Sequence, residues 1–569
     1  MKTKDTIILL VLTVLLGAYI LVKENPFTRQ AAGTLESPVF SEDMFPLSGF
    51  VLRHGKTLTE FQSTENGWFI SGANRVRADK GSVETLIQSM KVLKFFRSIP
   101  ANRQADLSQY GLDAPSRAIT LKKDGQSRTL LFGKETPGSA HIFAMIEGEP
   151  EIFVTSREFY NLIVKDADEY TSRSLCNFNP MDVRRIEMVC CTKEAKAVLE
   201  DKEWFTELPS RFPCDNKIVF SLLKQLADLQ ADGFARQAEK PLGRQYIRLY
   251  LTNDRKVELE LSPVPEKDQM IVFSDYLGRA GRVKKEALEK IAETASDMRR
   301  KKVFVLPGNK LDRITITRRD GEQIVFENKK GIWGVQDLSD PDPVMLRYII
   351  ANIFYCTIND FVPLQTKDLS VFGLDKPRAR VEILSAGRRT ELIIGRMCKK
   401  GVFAKYSNYS QVFTVSDVFQ DSMLRPRIFY KNRQLWDLDK DKITEFTRVL
   451  KGKTESYRKI LGNNWQMTDP QTIPADNLGI QVVLIDIARM KAKEYVKGKK
   501  TDPAFGLTSP LIRLAFKCKG REYEIRISAQ TKGKLHYACV NTDDSVFTVS
   551  EDLFKDLQRK LIKEKKNAF

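Results

Sequence analysis

Phe372-Gly373-Leu374-Asp375-Lys376-Pro377 is the phrase that decides the fold of this chain, because it is met three times. It recurs as Tyr110-Gly111-Leu112-Asp113-Ala114-Pro115 and as Phe505-Gly506-Leu507-Thr508-Ser509-Pro510. About forty residues before each copy stands a tryptophan: Trp68, Trp333 and Trp465. Trp204 falls into the same series, with its phrase worn down to Pro241-Leu242-Gly243. The tryptophans lie about 130 residues apart, so the chain of 569 residues reads as four copies of one unit.

Aligning the copies gives the unit its plan. Two short alternating segments open it, as in Ile314-Thr315-Ile316 and Ile324-Val325-Phe326, joined through Asp320-Gly321, a favoured hairpin turn. The tryptophan strand follows, then an amphipathic helix. In the first copy Val83, Leu86, Ile87, Met90 and Leu93 form one stripe on a 3.6-residue period, with Ser82 as the expected N-cap. Ile218, Val219, Leu222, Leu223, Leu226 and Leu229 repeat the stripe, as do Met345, Leu346, Ile349, Ile350 and Ile353. The fourth copy, around Leu478 to Ala488, is less clean and reads as helix or part strand. After the Gly-Leu phrase comes a second hairpin, turning at Asp124-Gly125, Asn253-Asp254, Ala386-Gly387 and Lys519-Gly520. Three copies close on a strand ending in serine (Val154-Thr155-Ser156, Thr414-Val415-Ser416 and Thr548-Val549-Ser550), and that serine is a fitting N-cap for a short final helix. Links between strands are short, which calls for antiparallel sheets. The expected class is α+β: four tandem repeats of a largely antiparallel sheet with two helices each.

Within the phrase, Gly111, Gly373 and Gly506 are expected to take positive φ or to allow a close approach. Leu112, Leu374 and Leu507 pin the loop to a core, and Pro115, Pro377 and Pro510 start the next strand and forbid helix. Thr508 replaces the aspartate of the other copies and cannot serve as a carboxylate base, which favours structure over catalysis. Trp68, Trp204, Trp333 and Trp465 read as core markers rather than a row of carbohydrate platforms.

The run from Thr6 to Val22 is uncharged and apolar, at the short end of what spans a bilayer. Lys2 and Lys4 precede it, so the leading end is expected in the cytoplasm and the remainder outside, in a single-pass protein of the inner membrane. A cleaved signal peptide is the competing reading. The boundaries expected are 1–5 cytoplasmic, 6–22 anchor, 23–42 stalk, 43–175 first repeat, 176–305 second and degenerate, 306–436 third, and 437–569 fourth. A formal net charge of +19 favours anionic partners such as envelope polymer or lipid headgroups, whereas nucleic acid is denied by the expected topology.

Chemistry-bearing motifs are missing. The three histidines, His54, His141 and His536, have no neighbouring His or Cys at ligand spacing, and the eight cysteines contain no C-x-x-C. Cys190 and Cys191 are adjacent on an apparent strand, where successive side chains face opposite ways, though an oxidising compartment leaves a disulfide open for some pair. There is no P-loop, no G-x-S-x-G elbow and no H-E-x-x-H. No catalytic residue, cofactor or metal is therefore expected. The basic tail with Arg559, Lys560, Lys563, Lys565 and Lys566 reads as a solvated helix face.

The anchor, the tryptophan strand, the Y/F-G-L-x-x-P phrase, the hairpin ending at Gly133 or Gly395 and the closing V-F-x-V-S together resemble the DUF4340 domain family. The resemblance runs from residue 43 onward and is weakest over 181–303. It implies a membrane-anchored extracytoplasmic protein that accompanies ABC transporter permease and ATPase subunits of the gliding-motility type. It carries over no active residue.

Overall fold

The computed structural model describes residues 37–72, 75–99, 107–138, 141–235, 244–264, 267–363 and 368–563. The expected anchor at 6–22, the end before it, the stalk up to 36, Pro241-Leu242-Gly243, Lys565 and Lys566 lie outside the described residues. Among the described residues no helix is long and apolar enough to cross a membrane.

The chain forms two compact units, Met1–Arg299 and Arg300–Phe569. Each contains two sheets. Among the described residues the four sheets have 10, 9, 8 and 9 strands, and every pairing is antiparallel. One strand order serves all four. A three-strand meander ending on the tryptophan strand lies beside a second meander, and the two join along their first strands. Phe50 sits opposite Leu121 at this seam in the first sheet, and Phe446 opposite Phe516 in the fourth. The architecture is thus mostly β with some helices, an α+β fold repeated sheet by sheet.

The alternating sequence explains the layering. One face of each sheet carries the large apolar side chains, and the long helix covers it. In the first sheet Val83, Leu86 and Met90 of helix Lys80–Lys91 pack with Phe50, Phe61 and Leu121. The corresponding helices are Asn216–Ala227, Pro343–Tyr355 and Asn477–Ala488, the last helical throughout despite its mixed sequence signal. An aspartate caps each of them: Asp79, Asp215, Asp342 and Asp476 accept hydrogen bonds from backbone N–H groups of the first turn. In the first helix Ser82 is therefore a donor to Asp79, with its N–H 2.8 Å from Oδ1, and the expected cap lies three residues too late. The closing helices Arg157–Ile163, Asp417–Leu424 and Glu551–Asp556 are capped by Ser156, Ser416 and Ser550.

Two edge strands were invisible to periodicity. After the tryptophan strand the chain adds a two-residue strand in three of the sheets, Val76–Arg77, Phe212–Pro213 and Ile473–Pro474. After the long helix it crosses to the far edge and pairs with the closing strand, as Gly233–Phe234, Asp360–Phe361 and Tyr495–Val496 do. Lys94–Ile99 makes the same crossing in the first sheet, where Ser37–Pro38 adds one strand more.

Candidate functional site

The Gly-Leu phrase is a single helical turn with a left-handed cap. Gly111, Gly373 and Gly506 have φ of 68°, 66° and 63°. The Gly373 N–H meets the Ser370 carbonyl at 2.9 Å and the Leu374 N–H reaches back to Leu369 at 3.0 Å, a helix C-cap that only glycine enters without strain. Asp113 and Asp375 are exposed; in the third sheet Asp368 caps the start of the turn, its side chain 2.9 Å from the Ser370 N–H. Pro115, Pro377 and Pro510 are half-buried at the entry to the next strand.

This turn docks on the sheet face opposite the long helix. Leu112 is buried with Ala118, Leu131 and Ile152; Leu374 with Phe372, Ile393 and Val412; Leu507 with Phe505, Cys539 and Val546. Beneath it a second glycine is required. A β-carbon on Gly133 would lie 2.1 Å from the Tyr110 carbonyl oxygen, and one on Gly395 would lie 2.2 Å from that of Phe372. The strand bulges there in both sheets. The fourth sheet puts Ser528 at this point, also next to a bulge. The phrase is a clamp holding a satellite core.

The four tryptophans occupy one structural position with unequal burial. Trp465 and Trp204 are buried, whereas Trp68 and Trp333 are half-buried. Trp68 packs on Phe50 at 5.4 Å, and Phe50 stacks on Phe61 at 4.3 Å. The fourth sheet repeats this trio as Phe446, Tyr457 and Trp465, with separations of 4.9 and 5.7 Å. A recurrent tyrosine escaped the sequence reading. Tyr170 meets Phe61 edge-on, Tyr430 meets Phe326 in the same way, and each phenol donates to a closing-helix carbonyl, of Leu162 and Ser422. Burial pushes both phenols well above the usual tyrosine range. The repeated Tyr in Asp-Glu-Tyr and Ile-Phe-Tyr was the available signal.

Among the described residues, clefts open on the first, second and fourth sheets. Beside Trp204 a cleft of about 590 Å³ is lined by Met181, Leu199, Phe220, Arg184, Lys202 and Asn216. A second, of about 480 Å³, lies between the long and closing helices of the first sheet, against Phe96 and Phe159. The third, of about 380 Å³, is polar and sits on the fourth sheet, where Glu445, Asp469 and Glu522 face Lys517, Arg458 and Tyr457. Glu445 is 3.1 Å from Lys517 and 3.8 Å from Arg458, so cations already occupy that carboxylate.

The histidines do not converge. His54 contacts Arg117, His141 packs edge-on to Phe96, and His536 lies between the Ser528 carbonyl at 3.1 Å and Glu551 at 2.8 Å. Both His536 nitrogens face acceptors. Its hydrogen bond holds the Glu551 carboxyl below the usual range. Among the described residues no three His, Cys, Asp or Glu side chains group as metal ligands would.

Repeated antiparallel sheets, each with a helix on one face and three of them with a glycine-capped clamp on the other, define the class of protein. The family model described as a domain of unknown function, DUF4340, matches residues 68–246 and 340–460, more than half of the chain. The chain belongs to that family. No curated protein matches it.

Proposed function

We propose that the protein is a non-enzymatic, membrane-anchored extracytoplasmic scaffold that docks the membrane-embedded subunits of an ABC transporter. Its anchor is residues 6–22, and its four units are 43–175, 176–305, 306–436 and 437–569, each with two helices against a sheet. The observation that carries the reading is a pair of exposed apolar stripes on the long helices of the second compact unit. Val344, Tyr348 and Tyr355 share one outward face of Pro343–Tyr355, and Tyr355 is 82% exposed. Leu478, 80% exposed, and Ile485 do the same on Asn477–Ala488. Outward apolar residues at helical spacing suit a partner surface. Co-purification after mild solubilisation tests this: permease and ATPase subunits should be recovered with the wild-type chain and lost with Tyr355→Asp combined with Leu478→Asp. Recovery of the wild-type chain alone would sink the proposal.

A second reading, a binder of acidic envelope polymer, draws on the charge of +19 and on a ladder in the first compact unit. There Arg75 and Arg77 lie over Phe69, and Arg77 also lies over Tyr276. Salt-sensitive retention on isolated cell-wall material would support it. A hydrolase of envelope polymer is the remote third reading, and it would have to use the polar cleft of the fourth sheet.

A further inference from the structure

The first hairpin turn of the second sheet departs from its counterparts. In the other sheets that turn contains a glycine at positive φ: Gly55 at 58°, Gly321 at 85° and Gly452 at 78°. Here Cys190 pairs with Lys193 across the hairpin, and the two residues between them are Cys191 and Thr192 at φ of 50° and 66°. Positive φ at both positions is the turn that a two-residue hairpin needs, and Asn or Gly normally supplies it. A β-branched threonine at 66° is a strained outlier, and such outliers cluster where a site has a use for them.

The turn has a geometric result. Extended backbone would send the side chains of residues 190 and 191 to opposite faces, as the sequence led one to expect. Because Cys191 leaves the strand, its Sγ instead lies 3.4 Å from Cys190 Sγ. Cys190 is fully buried in the core of the second sheet, and Cys191 is partly exposed above it. Burial, the contact with Cys191 and Glu289 of the helix Lys285–Ser296 all push the Cys190 thiol up. Cys191 is therefore the thiol that meets a reagent first, with a second sulfur in contact behind it.

We propose that Cys190 and Cys191 form an oxidisable vicinal dithiol, converted by a disulfide-bearing donor into a disulfide within the hairpin turn. The Cys191 thiolate attacks one donor sulfur, forming a mixed disulfide and releasing the first donor thiolate. Cys190 then loses its proton, and its sulfur attacks Cys191 Sγ. The new S–S bond forms as the second donor thiolate leaves. Two electrons pass from the chain to the donor, and the two thiol protons end on the two donor thiols. The sulfurs close from 3.4 Å to the ~2.05 Å of a disulfide. Cys176, by contrast, is buried with its thiol pushed up to about 12 and its sulfur 3.0 Å from the Leu226 carbonyl. The inference concerns the hairpin alone and does not depend on the scaffold reading.

The test is oxidation of the folded, full-length chain with oxidised glutathione, then alkylation and tryptic mass analysis of the 186–193 peptide. The expected result is a peptide about 2 Da lighter than its reduced form, unalkylated at both cysteines and restored by dithiothreitol. Cys398, which is also partly exposed, should instead be alkylated or keep a glutathione adduct. The Cys190→Ser chain should hold a stable adduct on Cys191. If that variant does not fold, the wild-type peptide decides alone. Alkylation of both cysteines after oxidation, or an adduct on wild-type Cys191 that persists, would overturn the proposal.

Discussion

Gly395 has no space for a β-carbon, whereas Gly387, at the tip of the second hairpin, meets nothing within 4 Å. Two alanine substitutions therefore separate two reasons for glycine. Gly387→Ala places a side chain at φ of 78° and should cost about 1 kcal/mol. Gly395→Ala forces apart the Phe372 carbonyl and a strand, and should cost roughly 3 kcal/mol in urea unfolding. Equal losses would refute the clamp. The capping glycines of the phrase were legible, because positive φ leaves a signature in one short stretch. Their partner glycines were legible only as a recurring letter, since the carbonyl that excludes a side chain comes from a distant turn. A charged pair, equally hidden, sets a pH dependence. Burial alone would raise the Asp543 carboxyl, but the ammonium of buried Lys431 and the Ser545 hydrogen bonds outweigh it and hold the group below the usual range. A depressed carboxylate contributes stability above its unfolded pKa of about 3.9 and loses it as pH falls through the lower folded value. Asp543→Asn should remove that acid-side dependence. It should also cost about 3 kcal/mol at neutral pH by leaving Lys431 buried and unpaired, read from unfolding curves at pH 7 and pH 3.

At the scale of elements, the helices announced themselves through apolar stripes long enough to show a period. Their exact starts did not, because Ser82 and Asp79 are both good caps and only the turn geometry selects the aspartate. Asp476→Ala should lower the stability of the second unit by about 1 kcal/mol, measured by denaturant midpoint. The two-residue edge strands were beyond reach, since two residues cannot display alternation. The end of the chain is held by an element contact of another kind. Arg448, 1% exposed, pairs with Glu455 and donates to the Leu557 and Arg559 carbonyls at 2.9 and 2.8 Å. Removing a buried charge that satisfies two carbonyls leaves those groups orphaned. Arg448→Met should make trypsin cleave after Arg559 and Lys560 much faster than in the wild type, seen as early loss of the terminal peptide.

For the whole molecule, the fourfold repetition was legible because a tryptophan marks every copy and the Gly-Leu phrase marks three of them. The division into two compact units was not, for four like copies give no sign that they group in pairs, and the basic run Arg299-Arg300-Lys301-Lys302 at the boundary reads as an ordinary solvated stretch. The core clusters of the first, second and fourth sheets each lie on one side of residue 299. Residues 300–563 expressed alone should therefore melt cooperatively in circular dichroism; a broad, featureless melt would count against an independent unit. The short edge strands have a consequence for a chain built of near-copies. Tandem domains of like sequence can exchange strands while they fold, and an open sheet edge is the template for that error. Here seven of the eight sheet borders among the described residues end in strands of only two residues, and Pro38, Pro213 and Pro474 remove a donor at three of them. The exception is the tryptophan strand Ile332–Val335, four residues long and without proline. If neighbouring copies ever trade strands in this protein, that border is where the exchange would begin.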